Sequence, residues 1–164
     1  MEAKKEVHNQ ILLKTILIST VLLGSLLFAL DGIFHNWIGD LNGFGRGVKI
    51  GLSLLVFWLV VTASLRSVNR MAEGISGIKL LLGGVGIAVL GTLFGQLILQ
   101  ILTWFEEPWA PAPNYRTFLF YGVGGLVASV ISLINLRVKD KTVGNVLELI
   151  FIVVVALLFF YFAG

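Results

Sequence analysis

The apolar segments of this chain contain few side chains that could do chemistry. The strongest candidate is Glu148, which falls about one and a half turns into the last apolar segment, with Asn145 one turn before it. An ionisable side chain inside a membrane is costly to bury and is therefore a functional candidate. Glu148 could bind a proton or a cation from within a helix bundle. Alternatively, it could pair with Arg137, Lys139 or Lys141 and orient the last two helices.

Two glutamines form a second candidate group. Gln96 and Gln100 are one helical turn apart in the outer half of the third apolar segment. They could line a polar path together with Glu148, which would make the protein a small channel or transporter. Polar side chains inside membrane helices more commonly hydrogen-bond to a neighbouring helix. We therefore keep the channel or transporter as an alternative hypothesis.

Acidic and histidine side chains occur in two of the connections between apolar segments. One connection contains Asp31, His35 and Asp40, and another contains Glu106 and Glu107. Carboxylates and imidazole can bind a divalent cation or transfer protons, so an enzyme acting on a lipid or envelope substrate is a weaker alternative. Their spacing matches no metal motif, and the chain has no cysteine to serve as a nucleophile or a metal ligand. We predict no catalytic residue, metal or cofactor.

The composition is that of a membrane protein, because 57% of the residues are hydrophobic and only 13% are charged. The apolar residues form five blocks, each near or above the roughly 17–25 residues that cross a bilayer. The blocks are Ile11 to Leu30, Val48 to Leu65, Ile78 to Trp104, Phe118 to Leu136 and Val143 to Phe162. The sequence therefore predicts one all-α domain over residues 1–164, a polytopic bundle of five transmembrane helices.

Lysine and arginine are distributed unequally between alternate connections. Nine lie on one side of the predicted membrane: Lys4, Lys5, Lys14, Arg66, Arg70, Lys79, Arg137, Lys139 and Lys141. Three lie on the other side: Arg46, Lys49 and Arg116. Because basic residues concentrate on the cytoplasmic side, this predicts a cytoplasmic N-terminus and an external C-terminus. These residues adjoin the spans, so we expect them to contact anionic membrane lipids and not nucleic acid.

Three of the connections have recognisable compositions. Asp31 to Gly47 is rich in glycine and aromatic residues, which predicts a loop or short helix in the head-group layer. Phe105 to Thr117 contains all three prolines and predicts a stiff, extended loop. Arg137 to Thr142 is short enough that the last two helices must form an antiparallel hairpin.

Small residues line one side of the third segment. Gly84, Ala88, Gly91 and Gly95 recur at i, i+4, i+7 and i+11, so they share a helix face. Gly125, Ser129 and Ser132 share a face of the fourth segment in the same way. Such stripes let helix backbones approach closely in lipid. The two stripes predict close packing of the third helix on the fourth.

The passage from Glu73 to Lys79, Glu-Gly-Ile-Ser-Gly-Ile-Lys, enters the third segment ahead of Gly83 and Gly84. It resembles a feature of an uncharacterised family of small bacterial membrane proteins with about four helices. In that family a basic segment after the second helix leads into a Gly-x-Ile-Ser/Thr turn and a glycine-bearing span. The chain differs in its fifth span and in Gly77, where an aromatic residue is more usual. The resemblance implies a bacterial inner-membrane location and no known activity.

Abundant packing residues and sparse chemistry point to a noncatalytic function. We predict a small multi-pass protein of the bacterial inner membrane that acts as an accessory or scaffold subunit. Its partners would be membrane lipids and either other membrane proteins or further copies of itself, bound by helix packing.

Overall fold

The chain folds into a helical bundle in this computed structural model, which describes residues 2–37, 43–72, 74–108, 110–113, 117–138, 140–147, 149–150 and 153. All regular secondary structure within these residues is helical, as predicted. The elements are α1 (Glu2–Trp37), α2 (Gly43–Met71), α3 (Gly77–Trp104), α4 (Thr117–Arg137) and a fifth helical segment, α5, over residues 141–147.

Three of the helices are long and apolar enough to cross a membrane. These stretches are Glu6–Asn36 of α1, Val48–Met71 of α2 and Gly77–Trp104 of α3. At 1.5 Å per residue, 24 residues extend about 36 Å, which exceeds the roughly 30 Å hydrocarbon core. The described apolar part of α4, Val123–Arg137, is shorter. Three such helices suggest insertion into a membrane.

The first two helices are longer than their apolar blocks. The connection predicted over Asp31 to Gly47 is wrong for most of its length, because α1 continues to Trp37 and α2 begins at Gly43. Hydrophobicity marks the stretch that matches the hydrocarbon core, whereas backbone hydrogen bonding continues into polar sequence. At the other end, α2 continues through Arg66 and Arg70, since arginine is a good helix former.

The third and fourth helices begin and end within one residue of their apolar blocks. The Ser76 side chain caps α3 by accepting a hydrogen bond from the Lys79 backbone N–H. Gly74 has φ of 82°, a conformation that suits glycine, in the turn between α2 and α3. A capped start after a tight turn explains why the apolar pattern and the helix agree here.

The α5 segment begins after an acidic cap. Asp140 Oδ1 accepts a hydrogen bond of 2.8 Å from the backbone N–H of Thr142. Gly144 is buried against Val138, while the other described side chains of residues 141–150 are exposed. The predicted helix over Val143 to Phe162 lies mostly outside the described residues.

The bundle is arranged around a contact between α2 and α3. In the described residues, α1 and α4 each pack against both α2 and α3 but not against each other. The α1 and α3 helices run parallel, since Leu12 lies by Gly83 and Gly24 lies by Gly95. The core between the helices contains Leu23, Phe57, Val61, Leu65, Leu80 and Ile87, among others.

Candidate functional site

The inner half of the α3 stripe lies against α4. A Cβ atom built on Gly84 would clash with the Ser129 side chain, and one built on Gly125 would clash with Ala88. Both distances from the built Cβ atom are shorter than real Cβ contacts show. The two helices therefore touch at a distance that only these small residues permit.

The outer half of the stripe lies against α1. The carbonyl oxygen of Gly24 would lie 3.0 Å from a Cβ on Gly95, and Leu23 fills the space beside Gly91. In the reverse direction, a Cβ on Gly24 would lie 2.6 Å from the Gly91 carbonyl oxygen and 2.9 Å from the Gly95 amide nitrogen. In the structure, the predicted stripe thus contacts two neighbouring helices, α4 along its inner half and α1 along its outer half. Packed helices cross at an angle, so a straight line of residues on α3 passes from one neighbour to the other.

Several buried hydroxyl groups donate to backbone carbonyls of their own helices. Ser129 donates to the Gly125 carbonyl, Thr92 to Ala88 and Thr62 to Trp58, each at 2.6–2.7 Å and one turn away. This arrangement satisfies a hydroxyl within its own helix, without a second helix or solvent. These three buried hydroxyl groups therefore have no proton left to donate to a ligand.

One pair of hydroxyls joins two helices. Ser19 of α1 and Ser64 of α2 are both buried, with their Oγ atoms 2.6 Å apart. Ser64 also donates to the Val60 carbonyl, so Ser19 donates to Ser64. The Oγ1 atom of Thr20 and the Oγ atom of Ser132, both buried within the described bundle, have no hydrogen-bond partner.

The predicted polar path is only partly described. Gln96 is buried, with 7% of its surface exposed, and Gln100 is half-buried; both side chains make further interactions. Glu148 lies outside the described residues. Asn145 lies in α5 and is exposed. The structure thus places the Gln96 side chain inside the bundle.

The acidic and histidine residues predicted for the outer connections do not form one metal-binding cluster in the part of the chain that the structure describes. Asp31 lies in α1 and forms an ion pair with Lys49 of α2, with 2.6 Å between Oδ1 and Nζ. His35, Glu106 and Glu107 are exposed, and Asp40 lies outside the described residues. Among the residues that the structure describes, no three acidic or histidine side chains are placed to hold a metal ion.

Two hydrogen bonds connect the helices at the other end of the bundle, away from the ion pair of Asp31 and Lys49. Lys79 Nζ at the start of α3 donates to Asn9 Oδ1 of α1 at 2.6 Å. The Arg137 guanidinium at the end of α4 donates to the Ile75 carbonyl in the turn between α2 and α3. The start of α1, the end of α2, the start of α3 and the end of α4 therefore lie together.

The two ends of the bundle differ in charge. We call one the basic end, because the charged residues in its described ranges are Lys4, Lys5, Lys14, Arg66, Arg70, Lys79, Arg137 and Lys141, against Glu2, Glu6 and Asp140. We call the other the acidic end, because the charged residues in its described ranges are Asp31, Glu106 and Glu107, against Arg46 and Lys49. The contacts described above place these residues at common ends independently of any assumed membrane.

Several contact residues are absent from the sequence-based prediction. The glycines of α1, Gly24 and Gly32, are eight residues apart and belong to no predicted stripe, so the sequence does not indicate Gly24 as a backbone contact. Asp31 falls in a predicted connection and Lys49 at the start of the predicted second helix, so the sequence does not indicate that they pair across α1 and α2. Ser19 and Ser64 could have been suspected, since an isolated serine inside an apolar segment often serves an interhelical hydrogen bond.

Comparisons of the chain with protein-family models, with curated proteins and with solved structures find no match. The resemblance carried by the passage from Glu73 to Lys79 stays a prediction.

Proposed function

We propose that this protein is a small noncatalytic integral membrane protein that acts as an accessory or scaffold subunit. It binds other membrane proteins or copies of itself through helix surfaces. Recognition is by shape, since apolar side chains gain little by leaving lipid for another apolar surface and association depends on close packing.

The observation that carries this proposal is the hydrogen bonding of interior hydroxyl groups together with the glycine contacts between helices. The buried hydroxyls of Thr62, Thr92 and Ser129 are bonded within their own helices, and glycine contacts bring α3 against both α1 and α4. Such an interior serves to hold helices together. The large surfaces that stay available are the apolar outer faces of the helices, including Leu55 and Leu59 on α2.

We further propose five spans in the bacterial inner membrane, with the N-terminus cytoplasmic and the C-terminus outside. The excess of positive charge at the basic end supports a cytoplasmic location for that end. The apolar block from Val143 to Phe162 supports a fifth span. The bacterial assignment depends on the resemblance of the Glu73 to Lys79 passage.

The experiment is isolation of the full chain at native expression in a mild detergent, followed by native gel electrophoresis and identification of bound proteins. We expect a species larger than the monomer, with a reproducible protein partner or a second copy. Free monomer alone, both in the gel and after cross-linking in intact membranes, would remove the proposal.

A small channel or transporter is the second candidate, favoured by the burial of Gln96 in the bundle. In this case Gln96, Gln100 and Glu148 would line a hydrated path. Reconstituted vesicles should then show ion or solute flux that Gln96→Leu abolishes. Flux that is absent from the wild-type protein, or that survives both Gln96→Leu and Glu148→Gln, would exclude this path.

A further inference from the structure

The basic end gathers cations from three helices around one turn. Arg137 is held over the turn between α2 and α3 by its hydrogen bond to the Ile75 carbonyl. Arg70 is exposed in the last turn of α2, and Lys79, the third residue of α3, keeps two further donors on the amine that bonds Asn9 of α1. The first turn of α3 contains no acidic side chain. If Glu73, three residues after Arg70 in the sequence, is counted against these three cations, two positive charges remain in excess.

An apolar strip leads away from these cations along α3. Ile78 is 74% exposed and Leu82 is 62% exposed, one turn apart on the same face. The strip continues at Gly86, where a Cβ atom would meet nothing within 4 Å, and at Leu90. From Ile78 to Leu90 it extends about 18 Å along the helix, close to the length of a lipid acyl chain.

We propose that this junction of α2, α3 and α4 binds an anionic phospholipid, with its phosphate head group on Arg70, Lys79 and Arg137 and an acyl chain along the strip from Ile78 to Leu90. Charge complementarity selects an anionic head group, and arginine's planar array of donors suits phosphate oxygens. The adjoining apolar strip lets an acyl chain attached to the bound phosphate contact the same protein surface, a contact that a soluble anion cannot make. The inference rests on the proposed membrane insertion but on no protein partner.

Native mass spectrometry of the purified full chain tests the site. The protein is incubated in mixed micelles that contain phosphatidylcholine and phosphatidylglycerol, and the bound lipids are counted. We expect the wild-type protein to retain phosphatidylglycerol over phosphatidylcholine. Lys79→Gln, Arg70→Gln and Arg137→Gln should each weaken that retention about fivefold, the effect of removing one cation near an anionic surface.

Lys14→Gln is the matched control, because it removes one positive charge from the same end but from α1. It should leave retention unchanged. Equal losses in Lys14→Gln and Lys79→Gln would mean diffuse attraction and would overturn the site. Equal retention of both lipids by the wild-type protein, or full displacement of phosphatidylglycerol by inorganic phosphate, would overturn it too.

Folding is checked by thermal unfolding of each variant in the same detergent. If Arg137→Gln does not fold because its contact with Ile75 is lost, Arg70→Gln and Lys79→Gln decide the outcome. A protein that fails to retain lipid but still forms its oligomer or complex refutes this site alone. A monomeric protein that retains phosphatidylglycerol refutes only the proposed function.

Discussion

At the scale of single residues, the bundle is organised by a few positions where no side chain fits. Gly24 illustrates this, since the backbone of Gly91 and Gly95 occupies the space that a Cβ atom would need. A flexible side chain could move aside, but the backbone of a packed helix cannot do so cheaply. By contrast, Gly51 of α2 is exposed, and a Cβ atom there would meet nothing within 4 Å.

We therefore predict opposite effects of the same substitution at these two glycines. Gly24→Ala should lower the free energy of unfolding by about 1–3 kcal/mol, the usual cost of overpacking. Gly51→Ala should raise it by about 0.5–1 kcal/mol, because alanine is the better helix former. Denaturant titration in one detergent, followed by circular dichroism, measures both. Equal stability of the two variants would contradict the contact between α1 and α3.

At the scale of helices, the sequence predicts some boundaries well and others poorly. The apolar block from Ile78 to Trp104 coincides with α3 because a capped turn precedes it, and a polar turn containing Glu106 follows it. The block in α1 ends before Asp31, yet the helix continues to Trp37, and Asp31 pairs with Lys49 on the neighbouring helix. A hydrophobicity pattern cannot reveal such a partner.

The sequence also does not indicate which helices contact the small-residue stripe of α3. The spacing of Gly84, Ala88, Gly91 and Gly95 predicts a shared face but contains no information about which helix covers each part of it. That depends on crossing angles, which depend on the packing of all four helices. The Gln96 side chain lies next to this face, and its burial could be predicted from that position alone.

The ion pair between Asp31 and Lys49 makes the pairing of α1 and α2 testable. Asp31→Lys or Lys49→Asp alone puts like charges side by side and should lower the free energy of unfolding by up to about 1 kcal/mol, since both side chains are partly exposed. The double variant restores an ion pair of reversed polarity. We expect it to recover most of the loss in a denaturant titration at low salt. If the double variant shows the sum of the two losses, the pair contributes no coupling.

At the scale of the whole molecule, the dominant feature is the charge difference between the two ends. Contacts such as those between Lys79 and Asn9 and between Arg137 and Ile75 show which helix termini lie at the same end of the bundle. The resulting grouping agrees with the one obtained by counting lysine and arginine along the sequence. A fifth span would carry the C-terminus from the basic end across the membrane.

The absence of cysteine from the chain allows a direct test of this topology. Thr142→Cys at the basic end and His35→Cys at the acidic end are both at exposed positions. In intact bacterial cells, a thiol reagent that cannot cross the inner membrane should label only His35→Cys. A reporter fused after Gly164 should then be external. An internal reporter would mean that the segment after Thr142 does not cross.

The parallel packing of α1 and α3 also constrains the order of events during synthesis. Gly24 and Gly95 are about 70 residues apart, so at 5–20 residues per second the ribosome needs roughly 4–14 s to deliver the second after the first. The α1–α2 hairpin is complete at Met71, 24 residues before Gly95, so for roughly the last 1–5 s of that interval it exists without the surface that Gly24 contacts. In the proposed membrane insertion, the nascent hairpin waits in lipid or against the insertion machinery, and the bundle closes only when α3 arrives.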